Sequence, residues 1–218
     1  MQQTSNSTES GGTPAVKAKR CLLSLARGQR LYAAGSPGTA WRVLSGSLRL
    51  DRHEPNGEHS FASLAISGDI IGAETLLFGH YTFTATALSP ATIAPWPEAH
   101  DAALAGDSLL ATLAKAERRA AEVIALRCGQ AAERVRRLVM MLAHAPEKNP
   151  EKPTAVEFRV VLPSRQDMAD ITALKLETVS RMVSQLRQAG ILDPLRLGGR
   201  HRPSVRSFVL REAASESQ

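Results

Sequence analysis

The polar residues of segment 164–190 have the types and spacing needed to recognise another molecule. Five of them stand at positions i, i+3, i+4, i+7 and i+11, namely Glu177, Ser180, Arg181, Ser184 and Gln188. On a helix this spacing places them on one face. That face presents a carboxylate acceptor, a hydroxyl and a fork of guanidinium donors within one turn. These groups match the hydrogen-bonding edges of bases in the major groove of DNA.

The opposite side of the same predicted helix, residues 176–189, is apolar. It carries a stripe at helical spacing, formed by Leu176, Val179, Met182, Val183, Leu186 and Ala189. Such a stripe needs a neighbouring element to cover it, and a first short helix precedes it in the chain. Gly190 suits the position just after a helix C-terminus. Segment 164–190 therefore predicts two short helices joined by a tight turn.

A predicted hairpin follows this helix pair. Two strand-like runs flank Gly198 and Gly199, and the tip between them carries Arg200, His201 and Arg202. A helix pair followed by a β-hairpin is the outline of a winged helix-turn-helix.

Positive charge is concentrated in the same part of the chain. The formal net charge is +6, and residues 160–211 contain nine Lys or Arg against four acidic residues. A basic module beside a nearly neutral remainder indicates a polyanionic partner. The alternative is a basic surface that is merely solvated.

The N-terminal 20 residues are polar and predict a disordered tail. They contain no apolar core typical of a secretory signal, and no apolar run in the chain approaches the ~20 residues of a membrane span. Two cysteines, Cys21 and Cys128, are too few for a disulfide framework. These features predict a cytoplasmic protein with no membrane partner.

Residues 29–95 consist of short extended runs separated by glycines, which predicts an antiparallel barrel or roll. Leu44, Leu48 and Leu50 are spaced for strands around Gly46, and the pair at 56–57 (Asn-Gly) predicts a hairpin turn. No phosphate-binding glycine loop and no clustered catalytic groups are present, so the chain is predicted not to be an enzyme. We assign residues 21–106 to a sensor domain with this fold.

A long helix is predicted to follow, over residues 107–128, with Asp107 as its N-cap. A seam at alternating four- and three-residue steps runs along it, formed by Leu109, Leu113, Ala116, Ala120, Val123 and Arg127. This spacing favours a homodimer helix over one that packs on its own roll. Cys128 and Gly129 end it, and residues 129–218, beginning with a helix over 130–144, form the DNA-binding domain.

In this order of elements the chain resembles the Crp/Fnr family of bacterial transcription regulators. The specific part is LPSRQDMADITALKLETVSRMVSQLRQAGIL, which follows the family's helix-turn-helix without gaps. The resemblance implies an α+β protein with an N-terminal β-roll, a jelly roll like that of cyclic-nucleotide-binding domains. It also implies a long dimerisation helix and a C-terminal winged helix-turn-helix.

LETVSR is similar to the recognition helix of the Fnr branch. The resemblance implies that Glu177, Ser180 and Arg181 read a TTGAT-type half-site, with two half-sites forming a palindrome. Residues expected at the DNA backbone are Ser164, Arg165, Gln166, Lys175, Thr178 and Arg200. Two positions depart from the family pattern: Ala173 stands where the turn often has Gly, and Lys175 stands where the second helix usually has a Ser or Thr cap. A lysine cannot accept hydrogen bonds from helix N–H groups, so we expect a weak cap.

No cofactor is predicted. The family's cyclic-nucleotide cassette needs an Arg for the phosphate, but here Tyr81 and Thr82 stand at the matching place, Glu74 is one position late and only Gly72 fits, which disfavours cAMP. An iron–sulfur cluster of the Fnr type needs four thiolates, and only two cysteines are present. The roll contains His53, His59 and His80, so binding of haem stays open as an alternative. Binding of another small effector also stays open.

The leading hypothesis is a homodimeric transcription regulator that binds double-stranded DNA and recruits or blocks RNA polymerase. The alternative is a ligand-binding module whose basic domain docks on a protein or membrane partner. The two differ in whether binding depends on Glu177 and Arg181.

Overall fold

The structure, a computed structural model, describes residues 22–54, 57–96, 105–143, 158–194 and 207–210, with the side chains of the first long helix described from residue 110. The N-terminal part contains eight strands in this description: β1 (Leu23–Leu25), β2 (Arg30–Tyr32), β3 (Ala40–Ser45), β4 (Ser47–His53), β5 (His59–Ile66), β6 (Ile70–Ile71), β7 (Thr84–Ala87) and β8 (Ala91–Trp96). A one-turn helix, α1 (Thr75–Phe78), lies between β6 and β7.

These strands form two antiparallel four-stranded sheets, ordered β1-β8-β3-β6 and β2-β7-β4-β5. Strand residues alternate between solvent and interior, so each sheet buries one face. The shared core contains Val43 and Ile93 from the first sheet with Leu48 and Ala85 from the second. The predicted β-roll is confirmed.

Two glycines shape the hairpins of the roll. Gly46, between β3 and β4, has φ 82°, and a Cβ there would lie 2.3 Å from the carbonyl oxygen of Pro90. Gly57, with φ 84°, belongs to the connection between β4 and β5, where its N–H donates to the Glu54 carbonyl. The predicted hairpin is confirmed. Its connection runs from 54 to 58 and is longer than a two-residue turn, since His53 pairs with His59.

Two helices follow the roll, α2 (Ala105–Ala125) and α3 (Ala131–Leu142). The predicted end of the helix at Cys128 is three residues late, because α2 ends at Ala125. The break before α3 covers residues 126–130 and includes Cys128 and Gly129, and Gly129 has φ 86°. The predicted N-cap at Asp107 is wrong, because α2 already begins at Ala105 and Asp107 lies inside it.

The predicted seam of α2 is wrong in part. Val123 is buried in the same core cluster as Phe61 and Leu64 of β5, so it packs on its own roll. Arg127 also contacts its own chain, with its guanidinium 5.2 Å from the centroid of the Phe61 ring. The exposed large apolar side chains described on α2 are Leu110, Leu113 and Ile124, and of these only Leu113 belongs to the predicted seam.

The C-terminal part contains β9 (Phe158–Val161), α4 (Arg165–Thr172), α5 (Leu176–Gln188), β10 (Leu192–Pro194) and β11 (Ser207–Leu210). The strands form one antiparallel sheet in the order β10-β11-β9. The helix pair and the strand pair of the winged helix-turn-helix are thus confirmed. The wing tip, residues 195–206, lies outside the described residues.

One core cluster connects the three parts of the molecule. It combines Phe61 of β5, Leu126 at the end of α2, Val139 of α3, Ile171 of α4 and Val183 of α5. The helix-turn-helix is therefore packed against both the roll and the break between α2 and α3, residues 126–130, which we call the hinge. Within the described residues, no helix is long and apolar enough to cross a membrane.

Candidate nucleic-acid interface

The first helix of the pair, α4, begins with a capping box. The Ser164 hydroxyl accepts from the Asp167 N–H at 2.9 Å, and the Asp167 carboxylate accepts from the Ser164 N–H at 3.2 Å. The Ser164 hydroxyl also donates to that carboxylate. These bonds satisfy N–H groups that the helix itself leaves without partners.

The turn between α4 and α5 passes through Ala173 in the left-handed conformation, with φ 51° and ψ 46°. It is the one non-glycine residue with positive φ in the described part of the chain. The Leu174 N–H donates to the Ala169 carbonyl at 3.0 Å, which closes the turn. The family's glycine position thus keeps its backbone shape with an alanine, at the cost of strain between Cβ and the backbone.

The second helix, α5, starts at Leu176 after Lys175, whose side chain makes no capping bond. The weak cap predicted from the sequence is confirmed. Val179 and Val183 are fully buried, and Met182 and Leu186 are partly buried. The ends of the predicted apolar stripe differ, because Leu176 is 41% exposed and Ala189 is also exposed.

The polar face of α5 points to solvent. Glu177 and Arg181 are exposed, and within the described chain neither has a hydrogen-bond or ion-pair partner. The intrahelical Glu177–Arg181 ion pair that their spacing permits does not form. Ser180 is half-buried, and its carbonyl accepts from the Ser184 hydroxyl at 2.9 Å, which turns Ser184 back onto the helix. One turn of α5 therefore offers an acceptor, a hydroxyl and a guanidinium that are free to bind elsewhere.

Arg49 of β4 holds α4 against the roll. Its guanidinium donates to Asp51 at 2.8 Å and to Asp167 at 2.9 Å, and it lies 3.4 Å from Asp170. Its side chain is only 14% exposed. Burial opposes the charged form, but the bonds to Asp51 and Asp167 outweigh it and raise the pKa of Arg49. No sequence pattern predicts this cluster, because β4 and α4 are more than 100 residues apart.

Two further arginines bind the C-terminal end of α4. Arg127 donates to the carbonyls of Asp170 at 3.1 Å and Ile171 at 3.3 Å, and Arg134 donates to the Thr172 carbonyl at 3.3 Å. The last carbonyls of a helix lack internal partners and carry partial negative charge, which favours a cation there. Both ends of α4 are therefore fixed by residues from outside the helix-turn-helix.

The residues predicted at the DNA backbone differ in exposure and in how far they are already bonded within the protein. Ser164 and Gln166 are engaged within α4, the latter through an amide bond of 2.9 Å to Asp170. Arg165 is half-buried, where desolvation and then the charge of Arg187 lower its pKa. Lys175 is exposed and Thr178 half-buried. Arg200 lies outside the described residues.

At the position of the cassette the roll carries a tyrosine in place of a cation. Tyr81 is buried there, its ring stacked on Tyr32 at 3.6 Å and its hydroxyl bonded to the backbone of Thr39. A Cβ at Gly38 or Gly72 would collide with the Tyr81 ring, so the ring fills the space beside both glycines. Tyr32 is buried as well, and this burial raises the pKa of its hydroxyl.

The other candidate ligands for a cofactor are scattered. His53 and His59 face each other edge-on at 4.9 Å on the β4–β5 hairpin, and they and His80 are exposed. Cys128 is a free, exposed thiol, and Cys21 lies outside the described residues. In the described ranges, no group of three His, Cys, Asp or Glu is placed to hold a metal ion.

Comparison with known families identifies both halves of the chain. The model of the cyclic nucleotide-binding domain family matches residues 22–108, and that of the Crp-like helix-turn-helix domain matches residues 133–204.

Among curated proteins, the chain is similar to the transcriptional regulator LdrP of Thermus thermophilus, with 27% identity over 172 residues that cover 77% of this chain and 85% of LdrP. It is also similar to the nitrogen fixation regulation protein FixK of Rhizobium meliloti, with 23% identity over 83% of this chain and 82% of FixK. Both are regulators by name.

Among solved structures, FixK2 from Bradyrhizobium japonicum matches with a TM-score of 0.60 and 25% identity, covering 88% of this chain and 93% of that one. A CRP-family transcriptional regulator from Thermus thermophilus has the same fold, with a TM-score of 0.60 and 24% identity over 86% of this chain and 91% of that one. A cyclic-nucleotide-type roll followed by a Crp-like helix-turn-helix, shared along most of the chain with named regulators, shows that this protein belongs to the Crp/Fnr family of transcriptional regulators and has a DNA-binding helix-turn-helix.

Proposed function

We propose that this regulator binds, as a homodimer, a palindrome of two TTGAT-type half-sites, and that it recruits or blocks RNA polymerase there. The observation that carries the proposal is the polar face of α5, where Glu177 and Arg181 are exposed and have no partner in the described structure. Charged groups left free beside a well-satisfied α4 are available to bases without first breaking a bond within the protein. DNA as the partner fits the cytoplasmic location predicted from the sequence.

Each of the three proposed base-reading residues suits one base of the half-site. Arg181 can donate two bonds to O6 and N7 of a guanine, and Glu177 can accept from the amino group of a cytosine. Ser180 can donate or accept, or contact a thymine methyl group. The exposed Leu176, at the start of the same face, adds an apolar surface suited to such a methyl group.

The proposed backbone contacts come from residues around this face. Lys175 is exposed and free of capping duty, so its ammonium can reach a phosphate, with Arg165 and Thr178 beside it in the helix pair. The side chains of Ser164 and Gln166 are engaged within α4, so their part in phosphate binding falls to backbone N–H groups at the start of that helix. Arg200, in the wing, completes the proposed set.

The homodimer is supported by the exposed apolar side chains of α2. Leu110 and Ile124 are 66% and 65% exposed, and Leu113 is 56% exposed. They recur on one helix face, and burying them against the same face of a second copy would remove this apolar area from water. We expect Ile124→Glu to convert the dimer to a monomer in light scattering coupled to gel filtration, whereas Ala111→Glu, away from this face, leaves it dimeric. A dimer that survives Ile124→Glu contradicts this arrangement.

The signal is proposed to be a small, largely apolar effector. A cavity of about 540 Å³ lies between the roll and α2, lined mostly by apolar side chains such as Ile71, Phe83 and Val123. The Tyr81 ring fills the cassette position, where a cyclic phosphate would need a cation. We therefore propose that cAMP is not the effector.

Fluorescence anisotropy with a labelled TTGAT–N4–ATCAA duplex tests the function. We expect saturable binding that is lost when both guanines and their paired cytosines are exchanged for A·T pairs. The matched control is the same duplex with a different four-base sequence in the spacer, which should bind equally well. Equal affinity for all three duplexes would favour the rival, a basic module that docks on a protein or membrane without reading sequence.

A further inference from the structure

A groove of about 750 Å³ lies between the turn that joins β5 to β6, helix α2 and helix α3. It adjoins the cavity between the roll and α2, and the two share Gly68, Asp69, Lys115 and Arg119 in their linings. Asp69 and Arg119 line both spaces, and they are bonded to each other at 2.8 Å, so this ion pair forms part of the wall between them.

The groove contains more positive than negative side chains. Its five cations are Lys115, Arg118, Arg119, Arg136 and Arg137, and its three acids are Asp69, Glu122 and Glu133. Every acid is already engaged. Arg119 binds both Asp69 and Glu122, Arg118 binds Glu122 at 2.9 Å, and Arg137 binds Glu133 at 3.2 Å.

Two cations remain without a partner among the described residues, Lys115 on α2 and Arg136 on α3. Both are exposed at the groove. The groove thus has an excess of two positive charges, placed on the two helices that meet at the hinge.

Apart from the charged side chains, most of the lining is apolar. Ile66, Ala125, Met140 and Met141 supply it, and Met140 is 43% exposed although it is a large apolar residue. Thioether side chains pack well against the edges of aromatic rings. The groove therefore combines eight charged side chains with a smaller apolar part, which suits a ligand that carries both a charged group and an apolar ring.

We propose that this groove binds an aromatic phosphate monoester of about the size of a nucleoside 5′-monophosphate. Such a phosphate carries about −1.5 to −2 charges at pH 7, which matches the excess of Lys115 and Arg136. The aromatic ring lies on Met140 and Ile66. Arg136 supplies a planar fork for the phosphate, and Lys115 supplies a point charge.

The position of the groove gives the ligand a consequence for the hinge. Arg137 donates to the carbonyls of Ala125 and Cys128, both at 2.9 Å, so α3 is already bonded to the end of α2. A phosphate held by Lys115 and Arg136 adds a second tie between these helices. Binding itself does not rest on the proposed half-site, so a failure of DNA recognition leaves this site untouched.

Isothermal titration calorimetry of the full chain with AMP and GMP tests the site. We expect at least one monophosphate to bind, with adenosine, guanosine and inorganic phosphate each binding more weakly. Arg136→Gln and Lys115→Gln should each weaken binding about tenfold, the loss of one charge-assisted bond. Arg136→Lys should retain part of the affinity. Arg159→Gln, at an exposed arginine of β9 outside the groove, is the matched control and should bind like the unchanged chain.

Two results would overturn the proposal. One is that neither monophosphate binds at millimolar concentration. The other is that binding is the same in Arg136→Gln and Lys115→Gln as in the unchanged chain, which would place the ligand elsewhere, such as in the roll. Circular dichroism of each variant guards against loss of fold, which is not expected because both side chains are exposed.

Discussion

The two helices of the helix-turn-helix use their polar side chains in opposite ways. On α4, Ser164 and Gln166 are bonded within the helix, and Asp167 and Asp170 contact Arg49 of the roll. On α5, Glu177 and Arg181 have no partner in the described structure. A polar group that is already bonded contributes to stability, and one that is free can bind a ligand without breaking an internal bond. The comparison therefore assigns stability to α4 and recognition to α5.

The largest expected effect is on α4. Arg49→Met removes the cation between Asp51 and Asp167. Asp51 loses its ion-pair partner while only 11% exposed, and Asp167 keeps its bonds to Ser164 and an ion pair with Arg27 at 3.8 Å. We expect the free energy of unfolding to fall by about 2–3 kcal/mol. Chemical denaturation measures it. The control is Arg118→Met. The Arg118 side chain is 83% exposed, so loss of its ion pair should change the free energy of unfolding by less than about 0.5 kcal/mol. Similar losses in both variants would refute the assignment of Arg49 as an anchor.

A smaller effect separates the two serines of the pair. Ser164→Ala removes the cap of α4 and should lower the free energy of unfolding by about 1 kcal/mol. Ser184→Ala on α5 removes only a hydroxyl bonded to the preceding turn and should leave stability unchanged or slightly raised. Thermal unfolding of both variants checks this. The comparison fails if Ser184→Ala is the more damaging change.

The smallest effect concerns the turn between the helices. Ala173 has φ 51°, a conformation that costs an L-residue with a Cβ more than it costs glycine, so Ala173→Gly should raise the free energy of unfolding by about 0.5 kcal/mol after the entropy of the unfolded chain is counted. Ala189→Gly, at φ −74°, is the matched control and should lower it. Denaturation curves giving the same sign for both changes would show that Ala173 is not strained.

Local patterns predicted the helix-turn-helix well. The stripe and the glycine at its end predicted a second helix over 176–189, and α5 spans Leu176–Gln188. The departures at Ala173 and Lys175 could also be read from the sequence, because turn conformation and capping depend on residues only a few positions apart. The roll was also predicted from local patterns, namely the glycines that separate its short extended runs.

Long-range contacts were not predictable in this way. The predicted seam of α2 included Val123 because Val123 fits a coiled-coil spacing as well as it fits the space beside Phe61. The Arg49 cluster joins residues that only the folded chain brings together. Asp107 resembled a cap by type, but the helix already begins at Ala105. Tertiary neighbours decided the first two of these.

The central claim is that the free face of α5 reads bases, and a double-mutant cycle between Arg181 and the guanine of the half-site tests it most directly. Anisotropy would give the affinity of the unchanged chain and of Arg181→Ala for the TTGAT duplex and for the duplex with the guanine pair replaced. We expect each single change to cost about 1–3 kcal/mol, and the second change to cost little once the first is made. Additive losses, or no loss for Arg181→Ala, would contradict a direct contact between this arginine and the base.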